Sequence, residues 1–496
     1  MSLNFTRRAF MGSTAATALM AGTASLLPKL AFASDEFSGM DAVTQAGLVK
    51  KGKVSALELV DAAIKRIEAV NPKTNAVVTE AFDKAREAAK GKLPDSPLSG
   101  VPYLIKDIDD VIGLRKTNGS RLFDKNISAE TSAVPQKALD AGMIVLGKTN
   151  TPEFGLLATT ESLELGPCHN PWALDHSTGG SSGGAAAAVA SGMLPVAHAS
   201  DGGGSIRIPA SSCGVFGLKP SRGRIDIGGR KMPGDIGVEN CVSRSVRDSA
   251  MIMSLSEEHG AGASYKPVGF ITGPSKKRLT VAFSTQDYFG KEPDPDVKKA
   301  IEDTANLCDD IGHLIVEAKN PLSGEEFIDA FLTVWASGPA GLVELARSKG
   351  LKPENVLEPW TVGLAEFFAK KPKDAMEKSL AYFAEAEKKV DAFMARYDTW
   401  LTPVLSTPAP KLGQQAPTVD FETLYERTIH YVSYTPIHNV AGTPAMSVPL
   451  GMSKDGLPIG SQFAAAKGGD GLLLSLAYEL EKAAPWAGRH ATVFAG

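Results

Sequence analysis

Apolar residues recur along the chain at two spacings, one typical of helices and one typical of strands. The helical spacing is clearest in residues 55–72, where Ser55 and Glu58 form a capping box and Asn71-Pro72 predicts the end of the helix. Apolar side chains every three or four residues give this predicted helix one buried face, made of Leu57, Val60, Ile64 and Ile67.

Short apolar runs typical of buried strands alternate with helical stretches along the rest of the chain. The runs are 101–105, 143–146, 195–199, 279–283 and 399–405. This order favours an α/β fold whose central sheet is covered by helices on both faces. We expect residues 34–496 to form a single domain. The stretch 321–431 is helical and rich in aromatic side chains, which at this spacing usually belong to a core: Trp335, Trp360, Phe367, Phe368, Tyr382 and Tyr425.

Composition narrows the class of protein. The chain has 496 residues, of which 43% are hydrophobic and 22% charged, as in ordinary globular proteins. A net charge of −4 gives no basic footprint, so no nucleic-acid partner is expected. The eight histidines show no zinc-binding spacing, and we expect neither a metal nor a cofactor. Four cysteines are too few for a disulfide scaffold, and buried free thiols are the expectation for Cys168, Cys213, Cys241 and Cys308.

The N-terminus carries a candidate export signal. Arg7 and Arg8 precede a moderately hydrophobic stretch, 11–27, and Ala31-Phe32-Ala33 fits a cleavage site. Residues 1–33 are therefore predicted to be a twin-arginine signal peptide, which makes the mature protein periplasmic or secreted and free of the membrane. A short membrane anchor or a cytosolic helix is the alternative.

Candidate chemistry lies in two runs rich in glycine and serine, 177–184 and 201–207, and in Lys106 at the end of an apolar run. A serine hydroxyl needs an unprotonated base to become a nucleophile, and a buried lysine can serve as that base. The consecutive glycines Gly202, Gly203 and Gly204 allow a tight turn whose amides converge on one point, as an oxyanion requires. These are the components of an acyl-transfer site.

The two runs resemble the amidase signature family of Ser-cis-Ser-Lys hydrolases, most densely over residues 178–223 and more broadly from about residue 55 to the C-terminus. The resemblance implies a mixed, twisted central sheet and an acyl pocket shaped partly by residues 321–431. It makes Ser205 the nucleophile, Ser181 the relay serine behind a cis peptide after Gly180, and Lys106 the base. The amides of Gly202, Gly203, Gly204 and Ser205 would hold the oxyanion.

Three further residues are expected to support this site: Ser182, Asp201 and Arg207. We expect Arg207 to anchor the glycine turn to an acidic partner such as Asp201, with contact to the substrate as the alternative. His198, near the same turn, is interpreted as a hydrogen-bonded core histidine, with a supporting role in the site as the alternative.

Two other motifs are interpreted as coincidental. Residues 180–184 fit the nucleophile elbow G-x-S-x-G, which would make Ser182 the nucleophile. That elbow follows a buried strand, whereas residues 170–176 are predicted to be turn and loop. Residues 142–149 fit the phosphate-loop pattern, but the four residues between its glycines are predicted to be strand.

The predicted function is hydrolysis of a carbon–nitrogen bond, other than a peptide bond, in a small-molecule amide, by a monomer or homodimer. The Asp201-Gly202-Gly203-Gly204-Ser205 turn and the C-terminal 472–486 segment look most like family members that hydrolyse cyclic aminohexanoate dimers. The alternatives are a partner-dependent glutamine amidase, like the A subunit of the amidotransferase acting on misacylated transfer RNA, and a binding protein without turnover.

Overall fold

The structure is a computed structural model that describes residues 37–228 and 234–495. The twin arginines and the predicted cleavage site lie outside these residues. None of the helices in the described ranges is long and apolar enough to cross a membrane.

The helices are distributed along the whole described chain. In chain order they are α1 Ala42–Lys50, α2 Ala56–Thr74, α3 Phe82–Lys90, α4 Ala133–Asp140, α5 Gly183–Ala190, α6 Arg207–Cys213, α7 Val246–Ser256, α8 Pro295–Asp310, α9 Gly324–Ser348, α10 Pro353–Val356, α11 Pro359–Ala369, α12 Ala375–Met394, α13 Phe421–Tyr431, α14 Pro436–Val440 and α15 Asp470–Ala483. Short 3₁₀ turns lie at Arg121–Phe123 and Glu153–Gly155.

The strands are short and many are buried over their whole length. They are β1 Val77–Glu80, β2 Pro102–Lys106, β3 Ile144–Thr149, β4 Glu161–Ser162, β5 Gly166–Pro167, β6 His169–Asn170, β7 Ala173–Ser177, β8 Val196–Asp201, β9 Phe216–Lys219, β10 Val238–Ser243, β11 Thr280–Phe283, β12 Leu314–Glu317, β13 Thr399–Pro403, β14 Ala445–Met452 and β15 Pro458–Ala464.

A mixed eight-stranded sheet forms the centre, in the order β12-β11-β13-β15-β14-β9-β10-β8. Strand β11 is parallel to β12 and β13, and the remaining neighbours in this sheet are antiparallel. A three-stranded sheet, β1-β3-β2, adjoins the β8 edge, where the Lys106 N–H donates to His198 Nδ1 at 3.4 Å. The ends of β2 and β8 are thereby brought together.

Helices cover both faces of the large sheet, as the alternation of side chains along β9 shows. Phe216 and Leu218 pack in one cluster with residues of α7 and α15. A Cβ built on Gly217, which points to the opposite face, would lie 2.8 Å from Ala210 of α6. The predicted mixed α/β fold is therefore confirmed.

The predicted elements agree with the structure more closely at their beginnings than at their ends. The capping box of α2 is present, with Ser55 N–H donating to Glu58 at 2.7 Å and Glu58 N–H to Ser55 Oγ at 3.1 Å. The helix continues two residues past the predicted end at Asn71-Pro72, because a proline in the last turn leaves the helical backbone intact until Asn75 takes a left-handed φ of 49°. Leu57 is only half-buried, and Leu59 occupies the core instead.

Each of the five predicted strands is present, within two residues at either end for four of them. Strand β3 extends through Thr149, three residues beyond the prediction, which removes the phosphate-loop interpretation of 142–149. The expectation of turn and loop at 170–176 is wrong in part, because β6 and β7 form a short hairpin there; β7 is largely exposed, so it is not the buried strand of a nucleophile elbow. The four cysteines are buried and free, as predicted.

Candidate active site

Lys106 ends β2 with its side chain fully buried. Its Nζ lies 2.6 Å from Ser181 Oγ and 3.0 Å from Ser200 Oγ. Removal of the amine from water lowers its pKa to about 7, although the negative charges of Asp109, Asp201 and Glu239 act in the opposite direction. An unprotonated amine is therefore available at neutral pH.

Ser181 lies in the loop between β7 and α5, and the peptide bond from Gly180 to Ser181 is cis. The space around Gly180 admits no side chain, since a Cβ there would lie 2.7 Å from Thr159 O. The following residue links this loop to the second glycine run: Ser182 N–H donates to Ser205 O at 3.3 Å. The two glycine-rich runs, distant in sequence from Lys106, therefore meet beside it.

The hydroxyl of Ser182 faces the end of β8 rather than a substrate. It donates to Ser200 O at 3.2 Å and accepts from Ser200 N–H at 3.3 Å. Ser182 thus connects the loop to β8, in keeping with the supporting position predicted for it and not with the elbow interpretation.

Asp201 shapes the turn that carries Ser205. Its carboxylate accepts from Gly204 N–H at 2.8 Å and from Ile206 N–H at 3.2 Å. Arg207 pairs with the same carboxylate through two nitrogens, each at 2.9 Å, and both residues are fully buried. The Arg207 guanidinium outweighs the effect of burial and holds the pKa of Asp201 well below its usual value.

The Arg207 guanidinium also reaches α14 and β15. Nη1 donates to Thr435 O at 2.9 Å and to Gln462 Oε1 at 2.7 Å, and Nη2 donates to Asn439 Oδ1 at 2.7 Å. Asn439 in turn donates to the Asp201 main chain and side chain. The Asp201–Arg207 contact was predicted from the sequence, whereas the contacts of Asn439, Thr435, Gln462 and Ser200 were not.

The three glycines of the turn differ in what surrounds them. Gly204 has a φ of +136°, and a Cβ there would lie 2.3 Å from Thr435 Oγ1, so no larger residue fits. Cβ atoms on Gly202 and Gly203 would lie 3.2 Å from Trp335 and 3.1 Å from Phe331. The Gly204 amide donates to Asp201, which leaves the predicted oxyanion role mainly to the neighbouring amides.

A narrow apolar cavity opens at Ser205, with a volume of about 60 Å³. Trp335 and Trp360, from the predicted aromatic stretch, line it, and none of the described residues around it carries a charge. Ligand sites are more often several hundred Å³, so a larger acyl group requires the wall to move. The wall also includes Leu156, Ile208, Phe331 and Ile429.

Asp109, His198 and Glu239 come together next to Lys106, and all three are buried. His198 Nε2 lies 3.2 Å from Glu239 Oε2, while Nδ1 lies 3.9 Å from Asp109 Oδ2. The carboxylates therefore face different ring nitrogens, and one ion contacts only one nitrogen of an imidazole. We interpret the cluster as hydrogen-bonded support joining β2, β8 and β10.

Comparison with known proteins identifies the family. The Amidase family model matches residues 58–474. AmiC of Mycobacterium tuberculosis, which bears the name of an amidase, is 38% identical over 467 residues, covering 93% of this chain and 98% of its own. The 6-aminohexanoate-cyclic-dimer hydrolase of a Pseudomonas species, strain NK87, is 36% identical over 479 residues, covering 90% of this chain and 96% of its own.

The solved structure of a 6-aminohexanoate cyclic dimer hydrolase with substrate has a TM-score of 0.86 and 33% identity, over 92% of this chain and 99% of that one. Sequence and structure together define the class of protein, a hydrolase acting on carbon–nitrogen bonds of amides other than peptide bonds. The chain belongs to the amidase signature family.

A substitution at Arg207 tests whether its guanidinium contacts hold the turn that carries Ser205. Arg207→Lys keeps the charge but loses the planar set of donors, so we expect a stability loss of about 3 kcal/mol. Misplacing the turn should also lower kcat/KM about 100-fold. Thermal unfolding and steady-state kinetics measure both effects. Arg222→Lys, at a half-buried arginine paired with Glu387, is the control and should change neither strongly. Wild-type stability and kcat/KM in Arg207→Lys would show that the guanidinium contacts do not hold the turn.

Proposed function

We propose that the protein hydrolyses small-molecule amides through an acyl-enzyme on Ser205, with Lys106 as base and Ser181 as relay. The observation that supports this most directly is the 2.6 Å contact between Lys106 Nζ and Ser181 Oγ in a buried site. Ser181 is tied to the Ser205 turn through Ser182 N–H and Ser205 O. The Lys106 amine is thus in place to exchange a proton with Ser181, and the backbone bond holds Ser205 beside the residue that follows Ser181.

In the first step, Ser205 Oγ bonds to the carbonyl carbon of the amide. Its proton passes to Ser181, whose own proton passes to the neutral Lys106 amine. The carbonyl oxygen becomes an oxyanion, which the amides of the glycine turn stabilise, chiefly those of Gly202 and Gly203.

In the second step, the tetrahedral intermediate collapses and the carbon–nitrogen bond breaks. The proton held by Lys106 returns through Ser181 to the departing nitrogen, which leaves as a neutral amine. Water then attacks the Ser205 ester and the same base takes its proton. The bond between the acyl carbon and Ser205 Oγ breaks, the proton returns through Ser181 to Ser205 Oγ, and the acid is released.

The pocket supports an uncharged acyl group as substrate. Its described lining is apolar and offers no ion pair to a carboxylate or an ammonium group. A cyclic aminohexanoate amide has no charged ends, and two relatives act on that substrate according to their names. Of the cyclic and linear amides of the aminohexanoate type, we therefore infer the cyclic ones, because the linear ones have charged ends. Free glutamine, with two charged groups, is a poor fit, which argues against the amidotransferase alternative.

Labelling tests the nucleophile. A fluorophosphonate should modify the wild-type protein at Ser205, as located by peptide mass spectrometry. Ser205→Ala should not be labelled, and its kcat should be at least about 1,000-fold lower. Ser182→Ala is the matched control, and it should still be labelled at Ser205. A label found on Ser182 would overturn the assignment.

The pH profile tests the base. Because the pKa of Lys106 is lowered to about 7, its neutral form accumulates as pH rises through 7, so kcat should rise over that range and then level off. Lys106→Ala should abolish that limb and most of the rate. Lys219, also buried with a pKa lowered to about 7, provides the control: Lys219→Met should keep the limb in place. If Lys219→Met removes it instead, Lys106 is not the titrating base.

We further propose export of the protein by the twin-arginine route, on the basis of Arg7, Arg8 and the Ala33 boundary. Changing both arginines to lysine keeps the charge but removes the paired guanidinium groups, so precursor should accumulate in the cytoplasm of a bacterium with this pathway. Cell fractionation and N-terminal sequencing should find the wild-type protein outside the cytoplasm, beginning at Ser34. Uncleaved wild type in the cytoplasm would contradict export.

A further inference from the structure

Two buried carboxylates, Glu153 and Glu358, lie where α11 meets the turn Glu153–Gly155, and each is only 2% exposed. Neither belongs to the proposed proton path. Burial of a carboxylate lowers the stability of a protein unless the carboxylate is hydrogen-bonded, so the contacts of these two residues decide whether they are stable there.

Glu153 holds the first turn of α11. Its Oε2 accepts from Glu358 N–H at 2.8 Å and from the Thr361 hydroxyl at 2.5 Å, while Oε1 accepts from Ser120 Oγ at 2.6 Å. Glu358 is the N-cap residue of α11, yet its own side chain makes no capping bond. The Glu153 carboxylate therefore binds the N-cap residue and the first turn of α11 from a distant part of the chain, as the N3 carboxylate of a capping box binds the N-cap N–H.

The two elements that meet at this joint, α11 and the turn Glu153–Gly155, both contact the candidate active site. On α11, Trp360 lines the acyl cavity, and its indole N–H donates to Leu156 O at 3.3 Å. On the turn, Gly155 lies against the relay serine, because a Cβ built on it would be 3.0 Å from Ser181 Oγ. The joint thus links one wall of the cavity to the backbone beside Ser181.

Three charged groups act on this joint. Burial raises the pKa of both carboxyls, and the Glu153 charge helps to raise that of Glu358 to about 8. Arg121, whose guanidinium donates to Leu357 O at 3.2 Å, favours the ionised forms, as does the Leu163 N–H that donates to Glu358 at 2.7 Å. At neutral pH, Glu358 is therefore protonated.

We propose that Glu153 and Glu358 are positioning residues that latch α11, and with it the Trp360 wall of the acyl cavity, onto the turn beside Ser181. The latch rests on the function proposed above, since it positions the cavity for that reaction. The start of α11 stays bound to the turn while Glu358 is neutral. When Glu358 ionises, two negative charges repel at the joint, and α11 moves Trp360 away from the acyl group.

The kinetic test compares hexanoyl and acetyl anilides over a range of pH. For wild type, KM for the hexanoyl substrate should rise about fivefold as pH passes 8, while KM for the acetyl substrate changes little. Glu358→Gln cannot ionise, so its hexanoyl KM should stay flat, and the rise of kcat near pH 7 should remain. Glu161→Gln is the control, because Glu161 is also buried with a raised pKa but accepts from Gly413 rather than from α11.

A second measurement does not depend on turnover. Tryptophan fluorescence of wild type should change as pH passes 8, and both Glu358→Gln and Trp360→Phe should remove that change. If Ser205 fails to react with fluorophosphonate while this transition persists, the proposed function is wrong but the latch stands. If Ser205 reacts normally and the transition is absent, the latch alone is wrong.

Thermal unfolding first establishes that Glu358→Gln is folded. Should it not fold, Glu153→Gln takes its place: with fewer acceptors for α11, it should raise hexanoyl KM at every pH and spare the acetyl substrate. An equal loss for both substrates, or a wild-type KM profile in the folded Glu358→Gln variant, would overturn the proposal.

Discussion

The buried ion pair between Asp201 and Arg207 is the interaction on which the rest of the site depends. Isolated charges in a protein interior are unstable, and this pair persists because every side of it is hydrogen-bonded. Asp201 orders the amides at the start of α6, and Arg207 joins that turn to α14 and β15. The position of Ser205 is thus set by contacts between segments more than 200 residues apart, and not by the glycine-rich loop alone.

Desolvation is the second physical constraint. Lys106 can act as the proposed base only because the fold encloses its amine, and the two serine hydroxyls at 2.6 and 3.0 Å stabilise that amine without adding a charge. The carboxylates of Asp109, Asp201 and Glu239 pull its pKa upward, against the larger effect of burial. The resulting value near neutrality is a balance between enclosure and charge, so both the packing around β2 and the ionic groups behind it bear on the chemistry.

The candidate residues Lys106, Ser181 and Ser205 could be picked out from the sequence, because they lie in local motifs with glycines at fixed offsets, and the fold brings these motifs together. It also predicted the Asp201–Arg207 contact, since those residues are six apart. Asn439, Gln462 and Thr435 could not be predicted in the same way. They are common polar residues whose partners lie more than 200 positions away, and no periodicity marks them. Strands β9, β14 and β15 were missed for a related reason: buried runs interrupted by glycine and proline lack the alternation that identifies a strand.

The proposed reacting groups and the acyl cavity are built on different parts of the fold. Lys106 and the serine loops lie at the ends of strands. Much of the cavity wall, in contrast, comes from three helices, α9, α11 and α13. Substitutions in those helices can therefore change which amide is accepted and leave the bond-breaking apparatus as it is. During evolution, the substrate range of such a protein can change through substitutions in these helices alone, while the chemistry of the reaction is inherited unchanged.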